Sequence, residues 1–161
     1  MADTTQPQPD APNTDIRRGA PLHRALVAAT PIDRAASLAI FVMRRMAAHG
    51  VDDAYAANAL LGVFGLRHRR PLVLLRAMML EIARGSSRTI MVAPCCCTRM
   101  TRDEYRLFEA LAQANHNPRD AHLQLTALTG NMEALGPLTC VQAVAAAFAD
   151  LGQPLTAPPA A

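Results

Sequence analysis

Between Thr30 and Gly50 the chain carries a helix signature at both ends, and this segment constrains the fold more than any other. Thr30-Pro31-Ile32-Asp33 sets a capping hydroxyl before a proline at the first helical position and an acid in the first turn, and Gly50 stops the element about five turns later. The spacing predicts a helix over 31–49. Its positions Ile32, Ala36, Ala39, Met43 and Met46 form one apolar stripe, with Arg34, Arg44 and Arg45 mostly off it.

The same punctuation recurs along the chain. Asp52 or Asp53 opens a helix that runs to Phe64, before Gly65, and Pro71 opens one that closes at Gly85. That third helix has Leu72, Leu75, Met79, Ile82 and their neighbours apolar around most of its circumference, which marks it as the central one. Thr101-Arg102-Asp103-Glu104 is a capping-box pattern for a helix to Asn115, Asn117-Pro118 starts another ended by Gly130, and Leu138-Thr139 begins a last one to Leu151. The last carries Val141, Val144, Ala145 and Phe148 on one face. With 32 alanines, no tryptophan and six phenylalanines and tyrosines together, the chain suits closely packed small-residue helices and not a β-sandwich. The expected fold is therefore all-α, a compact bundle of five or six helices joined by short turns. Thr89–Ala93 is β-branched and closed by Pro94, so it reads as a short extended segment without an evident partner strand. At 161 residues one domain is expected, over 22–151. Residues 1–21, with Pro7, Pro9, Pro12 and Pro21, and residues 152–161, with Pro154, Pro158 and Pro159, read as flexible tails.

Several function classes are excluded at this level. The first residues put an acid before any base and show no export signal, and the apolar run Leu72–Ala83 is broken by Arg76 and Glu81 and falls short of the roughly 18 to 20 residues that span a bilayer. A soluble cytoplasmic protein without membrane insertion is expected, so Cys95, Cys96, Cys97 and Cys140 are thiols, metal ligands or redox groups and not a disulfide framework. Ser86 and Ser87 lack a nucleophile-elbow context, the glycines form no phosphate loop, and His23, His49, His68, His116 and His122 show no metal-binding spacing. No pair of carboxylates is placed for acid–base work. These patterns do not indicate a hydrolase, kinase or dehydrogenase.

Chemistry concentrates at Pro94-Cys95-Cys96-Cys97. The triplet precedes the helix that starts near Arg102, and Arg99 and Arg102 flank it. Both supply positive potential, the setting of reactive or metal-binding sulfur. In an extended segment Cys95 and Cys97 project to one side and Cys96 to the other, so the outer pair is the easier chelate, with Cys96 auxiliary. Cys140, or His116 or His122, would complete a Zn²⁺ set, whereas the thioethers of Met91 and Met100 would suit Cu(I). Three readings stand: metal binding, redox or nucleophilic thiol chemistry, and plain packing of small residues. Cys140 steps by four with Val144 and Phe148 and reads mainly as core. The leading expectation is a non-catalytic thiol module.

All 16 basic residues are arginine. Residues 67–102 hold eight of them against Glu81 alone, which makes Arg67, Arg69, Arg70 and Arg76 the candidates for an anionic partner, nucleic acid or protein. A solvated turn explains the cluster as well, because the helix that follows is apolar and not a recognition helix. At Arg69-Arg70-Pro71-Leu72-Val73-Leu74-Leu75-Arg76-Ala77 and Ala93-Pro94-Cys95-Cys96-Cys97 the chain resembles a family of small uncharacterised alphaproteobacterial proteins of the sphingomonad type. The likeness covers roughly residues 31–150; it implies a cytoplasmic protein and no particular mechanism.

Overall fold

Local capping sets most of the helix boundaries. The computed structural model describes residues 25–156; the expected tail over 1–21, and residues 157–161 of the one expected over 152–161, lie outside them. Helix α1 spans Arg34–His49, and its cap is Asp33, whose carboxylate accepts from Ala36 N–H at 3.0 Å. Thr30, expected as the cap, instead donates its hydroxyl to Thr98 O at 3.0 Å. The helix thus begins later than its sequence signature suggests, and Ile32 stands in solvent and not on the buried stripe. Ala36, Ala39, Met43 and Met46 are buried as the period requires.

Asp53 caps α2, Ala54–Phe64, in the same way, and a 3₁₀ turn over Gly65–His68 leads into α3, Arg69–Gly85. The predicted capping box starts α4, Arg102–Gln113: Thr101 Oγ1 accepts from Glu104 N–H at 3.1 Å and Glu104 accepts from Thr101 N–H at 2.8 Å. Asn117 and Pro118 start α5, Pro118–Thr129, which ends at the left-handed Gly130 (φ 70°). Helix α6, Leu135–Asp150, begins a turn earlier than expected, with Gly136 and Pro137 in its first turn.

Among the described residues these six α-helices make an all-α bundle with one small sheet. Strand β1, Leu26–Ala29, pairs antiparallel with β2, Arg99–Thr101, with a bulge between Leu26 and Ala28. The expected extended segment Thr89–Ala93 belongs to neither strand; its backbone is tied to side chains of α4.

The core lies where α3 packs on α6, α4 on α5, and α1 on α2. Phe108, Phe148, Leu60, Leu75, Met78, Met100 and Leu125 are fully buried there, and Phe64 meets Phe148 edge-on at 5.2 Å. Helix α3 is not enclosed on all sides. Pro71, Leu72, Leu75, Met78 and Ile82 are buried, whereas Val73 and Leu80 face solvent. Within the span expected as a C-terminal tail, Leu155 is buried against the core.

Candidate functional site

Two adjacent carboxylates in the first turn of α4 organise the site. Asp103 and Glu104 sit at the positive end of the helix, where acids are favoured, and both are buried. Asp103 takes the Arg88 guanidinium on both oxygens at 3.0 and 3.1 Å and also the Met91 N–H at 2.9 Å. Arg88 reaches Leu128 O at 2.7 Å as well. Glu104 takes Arg44 Nε at 2.7 Å and Nη2 at 3.1 Å, together with the Ala93 N–H at 3.1 Å. The strap from Arg88 to Ala93 is thereby pinned onto α4 by charge-assisted hydrogen bonds.

Arg44 continues the connection into the cysteine loop. Its side chain is 3% exposed, and beyond Glu104 it donates to Cys97 O at 2.6 Å, Arg99 O at 2.7 Å and Pro94 O at 3.3 Å. One buried guanidinium thus satisfies three carbonyls of the loop and neutralises the carboxylate beneath it. Sequence reading put Arg44 off the buried stripe; the signal that it belongs inside is its position one turn beyond Ile40 and two beyond Ala36. Ion pairing makes that burial tolerable.

The triplet itself is not extended. Cys97 N–H donates to Pro94 O at 2.9 Å, closing a turn with Cys95 and Cys96 at its exposed centre and Cys97 half-buried. The expected projection of Cys95 and Cys97 to one side of a strand therefore gives way to a tight turn. The start of α4 is also taken: the box of Thr101 and Glu104 and the Asp103 carboxylate occupy it, not the sulfurs. Besides Arg44, a second cation near the triplet is Arg45, held by Asp53 on both carboxylate oxygens at 3.0 and 2.6 Å and stacked over Tyr55 at 4.7 Å. Its hydrogen bond with Asp53 raises the Arg45 pKa against the opposing effect of burial, and the nearby Cys95 adds a smaller effect in the same direction. The same bond is the main reason that the Asp53 carboxyl is lowered to about 2, with burial opposing and the Ala56 N–H assisting.

The other predicted ligands do not join this loop. Cys140 lies half-buried on α6 near Glu81 of α3, and burial, then the Glu81 charge, pushes its thiol upward. Met100 is fully buried in the core and offers no ligand to solvent, although Met91 is exposed. His116 is exposed beyond the end of α4, and His122 is half-buried on α5. Among the described residues no three His, Cys, Asp or Glu side chains form a metal-binding group. The zinc set expected from Cys95, Cys97 and Cys140 is therefore not assembled. The basic segment is likewise divided: Arg67 and Arg69 are exposed, but Arg70 pairs with Asp150 at 2.7 Å and Arg76 with Val51 O at 3.0 Å and Asp52 at 3.4 Å.

Fold and site together define a small all-α protein with an exposed cysteine turn held by a buried arginine. The chain belongs to the family of unknown function DUF6628, which it matches over residues 22–149, a span that takes in all but the last residue of α6. No curated protein and no solved structure matches it. Among the described residues no helix is long and apolar enough to cross a membrane.

Proposed function

We propose that the protein is a non-catalytic thiol module whose Pro94–Thr98 loop responds to oxidants. The observation that carries this reading is the placement of three free thiols in one turn, two of them exposed, on a backbone fixed by the buried Arg44. Oxidant-sensing cysteines are accessible, lie near positive charge and have a resolving thiol close by. Cys95 meets the first two conditions through its exposure and Arg45, and Cys97 supplies the third. In the proposed reaction the Cys95 sulfur attacks a peroxide oxygen, the O–O bond breaks, and sulfenic acid and water form. The Cys97 sulfur then displaces hydroxide, which leaves as water with the Cys97 proton, and a disulfide remains. Two thiols lose two electrons and two protons to the peroxide. Cys96 is auxiliary, and the cytoplasm, whose reducing pool would restore the thiols, is the compartment this chemistry suits.

Zn²⁺ binding has less support, because the expected fourth-ligand candidates are apart from the turn; Cu(I) on Cys95 and Cys97, with exposed Met91 as a soft donor, needs fewer ligands. Nucleic-acid binding through Arg67, Arg69, Arg70 and Arg76 also has less support, because Arg70 and Arg76 are already paired. The test is treatment of the reduced, chelator-free full chain with equimolar hydrogen peroxide, followed by peptide mapping. The reading predicts a reductant-reversible Cys95–Cys97 disulfide and a trapped sulfenic acid in Cys97→Ser. Thiols unchanged by peroxide would overturn it, and stoichiometric copper or zinc lost on Cys95→Ser would replace it with a metal module.

A further inference from the structure

A cleft of about 750 Å³ opens between the C-terminal halves of α1 and α3 and the strap that follows α3. Its volume lies within the range of small-molecule sites, roughly 300–1,000 Å³. Met43, Met46, Met79, Ile82, Ile90 and Leu107 are among the apolar side chains of its wall. Three methionines among these give an adaptable, polarizable surface that follows the shape of an apolar guest.

The charges that reach the cleft decide what kind of guest it takes. Arg44 and Glu104 line it, as do Arg88 and Asp103, and each arginine is already bonded to its carboxylate. Asp52, exposed at the mouth, pairs with Arg76. No buried side-chain nitrogen or oxygen among the described residues lacks a hydrogen-bond partner. A charged ligand would therefore lose its hydration without gaining a free counter-ion, a cost that an uncharged one avoids. Ser86 spends its proton on Ile82 O at 2.8 Å and keeps acceptor lone pairs, and His49 is exposed at the mouth, so one hydroxyl or amine group on a guest can be accommodated.

We infer that this cleft is a binding site for an uncharged, predominantly apolar small molecule. It is separate from the thiol chemistry, although Arg44 lines both this cleft and the smaller hollow under the cysteine turn.

Two fluorescent probes that share a skeleton test the inference: phenylnaphthylamine, which is neutral, and anilinonaphthalene sulfonate, which carries an added anion. The protein has no tryptophan, so probe emission is read without transfer from indole. The full chain is titrated with each, alongside Ala83→Phe and Ala47→Phe, which enlarge exposed alanines that line the cleft, and Ala127→Phe, which enlarges an exposed alanine on α5 that does not. The expected result is saturable binding of one neutral probe per chain, about tenfold tighter than the sulfonate, equivalent to about 1.4 kcal/mol. Ala83→Phe and Ala47→Phe should each weaken it about tenfold while Ala127→Phe leaves it unchanged. Two cleft variants guard against one of them misfolding, which circular dichroism of each would reveal. Absence of saturable binding, equal affinity for the sulfonate, or an equal effect of Ala127→Phe would overturn the inference.

Discussion

Replacing Arg44 by methionine keeps most of the side-chain volume and removes the guanidinium that joins α1, α4 and the cysteine loop. Removing one partner of a buried pair costs about 3–5 kcal/mol, because the other charge is left uncompensated. Glu104 retains two backbone donors, Ala93 N–H and Thr101 N–H, which places the electrostatic part near the lower end of that range. The carbonyls of Cys97 and Arg99 also lose their 2.6 and 2.7 Å partners, adding about 0.5–1.5 kcal/mol each where water does not replace them. A total of about 4 kcal/mol should move the urea midpoint down by about 2 M for a slope of about 2 kcal/mol/M. The assay is equilibrium urea unfolding of the full chain by circular dichroism, with Glu104→Gln and the double variant completing the cycle. The double variant should recover roughly 2 kcal/mol relative to the sum of the single ones, since it leaves no buried charge. In the same protein Cys97 should alkylate as fast as Cys95, because its carbonyl no longer anchors the turn. A midpoint within about 0.5 M of wild type, together with unchanged Cys97 labelling, would refute the role given to Arg44.

Leu75→Asp places a charge at a fully buried position on α3 and should leave the chain without a cooperative thermal transition; a preserved melting temperature would show that the packed face of α3 is misassigned. Asp53 has its carboxyl depressed to about 2 from 3.8, so its contribution is fully present above about pH 4 and is lost as pH falls through about 2. Acid titrations of stability should show this loss in wild type and a flatter profile over that window in Asp53→Asn. Gly130→Ala should cost about 1–2 kcal/mol by urea unfolding, because φ is +70° and a Cβ would lie 2.7 Å from Ser87 Oγ. Gly62→Ala, within α2 with nothing near its Cβ position, should instead stabilise by about 0.5–1 kcal/mol.

What could be read from the sequence follows the range of the interactions. The capping box of Thr101 and Glu104, the Asn117-Pro118 start and the Gly130 stop each act within a few residues, so they mark helices without knowledge of the fold. Arg44 and Glu104 are 60 positions apart, and neither local propensity nor periodicity links an arginine in one helix to a capping acid in another. The pairing of Leu26–Ala29 with Arg99–Thr101 was hidden for the same reason. Leu-Val-Ala-Ala is a weak strand signal, and the partner lies beyond three α-helices and a 3₁₀ turn. The cysteine triplet drew attention by its residue types, yet its neighbours were decided by tertiary placement: Cys140 went to the α3 side, Met100 to the core, and Arg45 to Cys95. The cleft left no trace in composition, because its wall is built from the same methionines and aliphatic residues that fill the core.

The most direct test of the proposed thiol loop is the order in which the four cysteines react in the native protein, followed by pulsed alkylation at neutral pH and peptide mass spectrometry. Cys95 and Cys96 should label first and Cys97 more slowly, since it is half-buried in the turn that Arg44 holds. Cys140 should label last, because burial and the Glu81 charge raise its thiol pKa and so reduce the reactive thiolate at neutral pH. Four cysteines that stay silent until the chain unfolds, or a Cys140 that reacts before Cys95, would contradict that order.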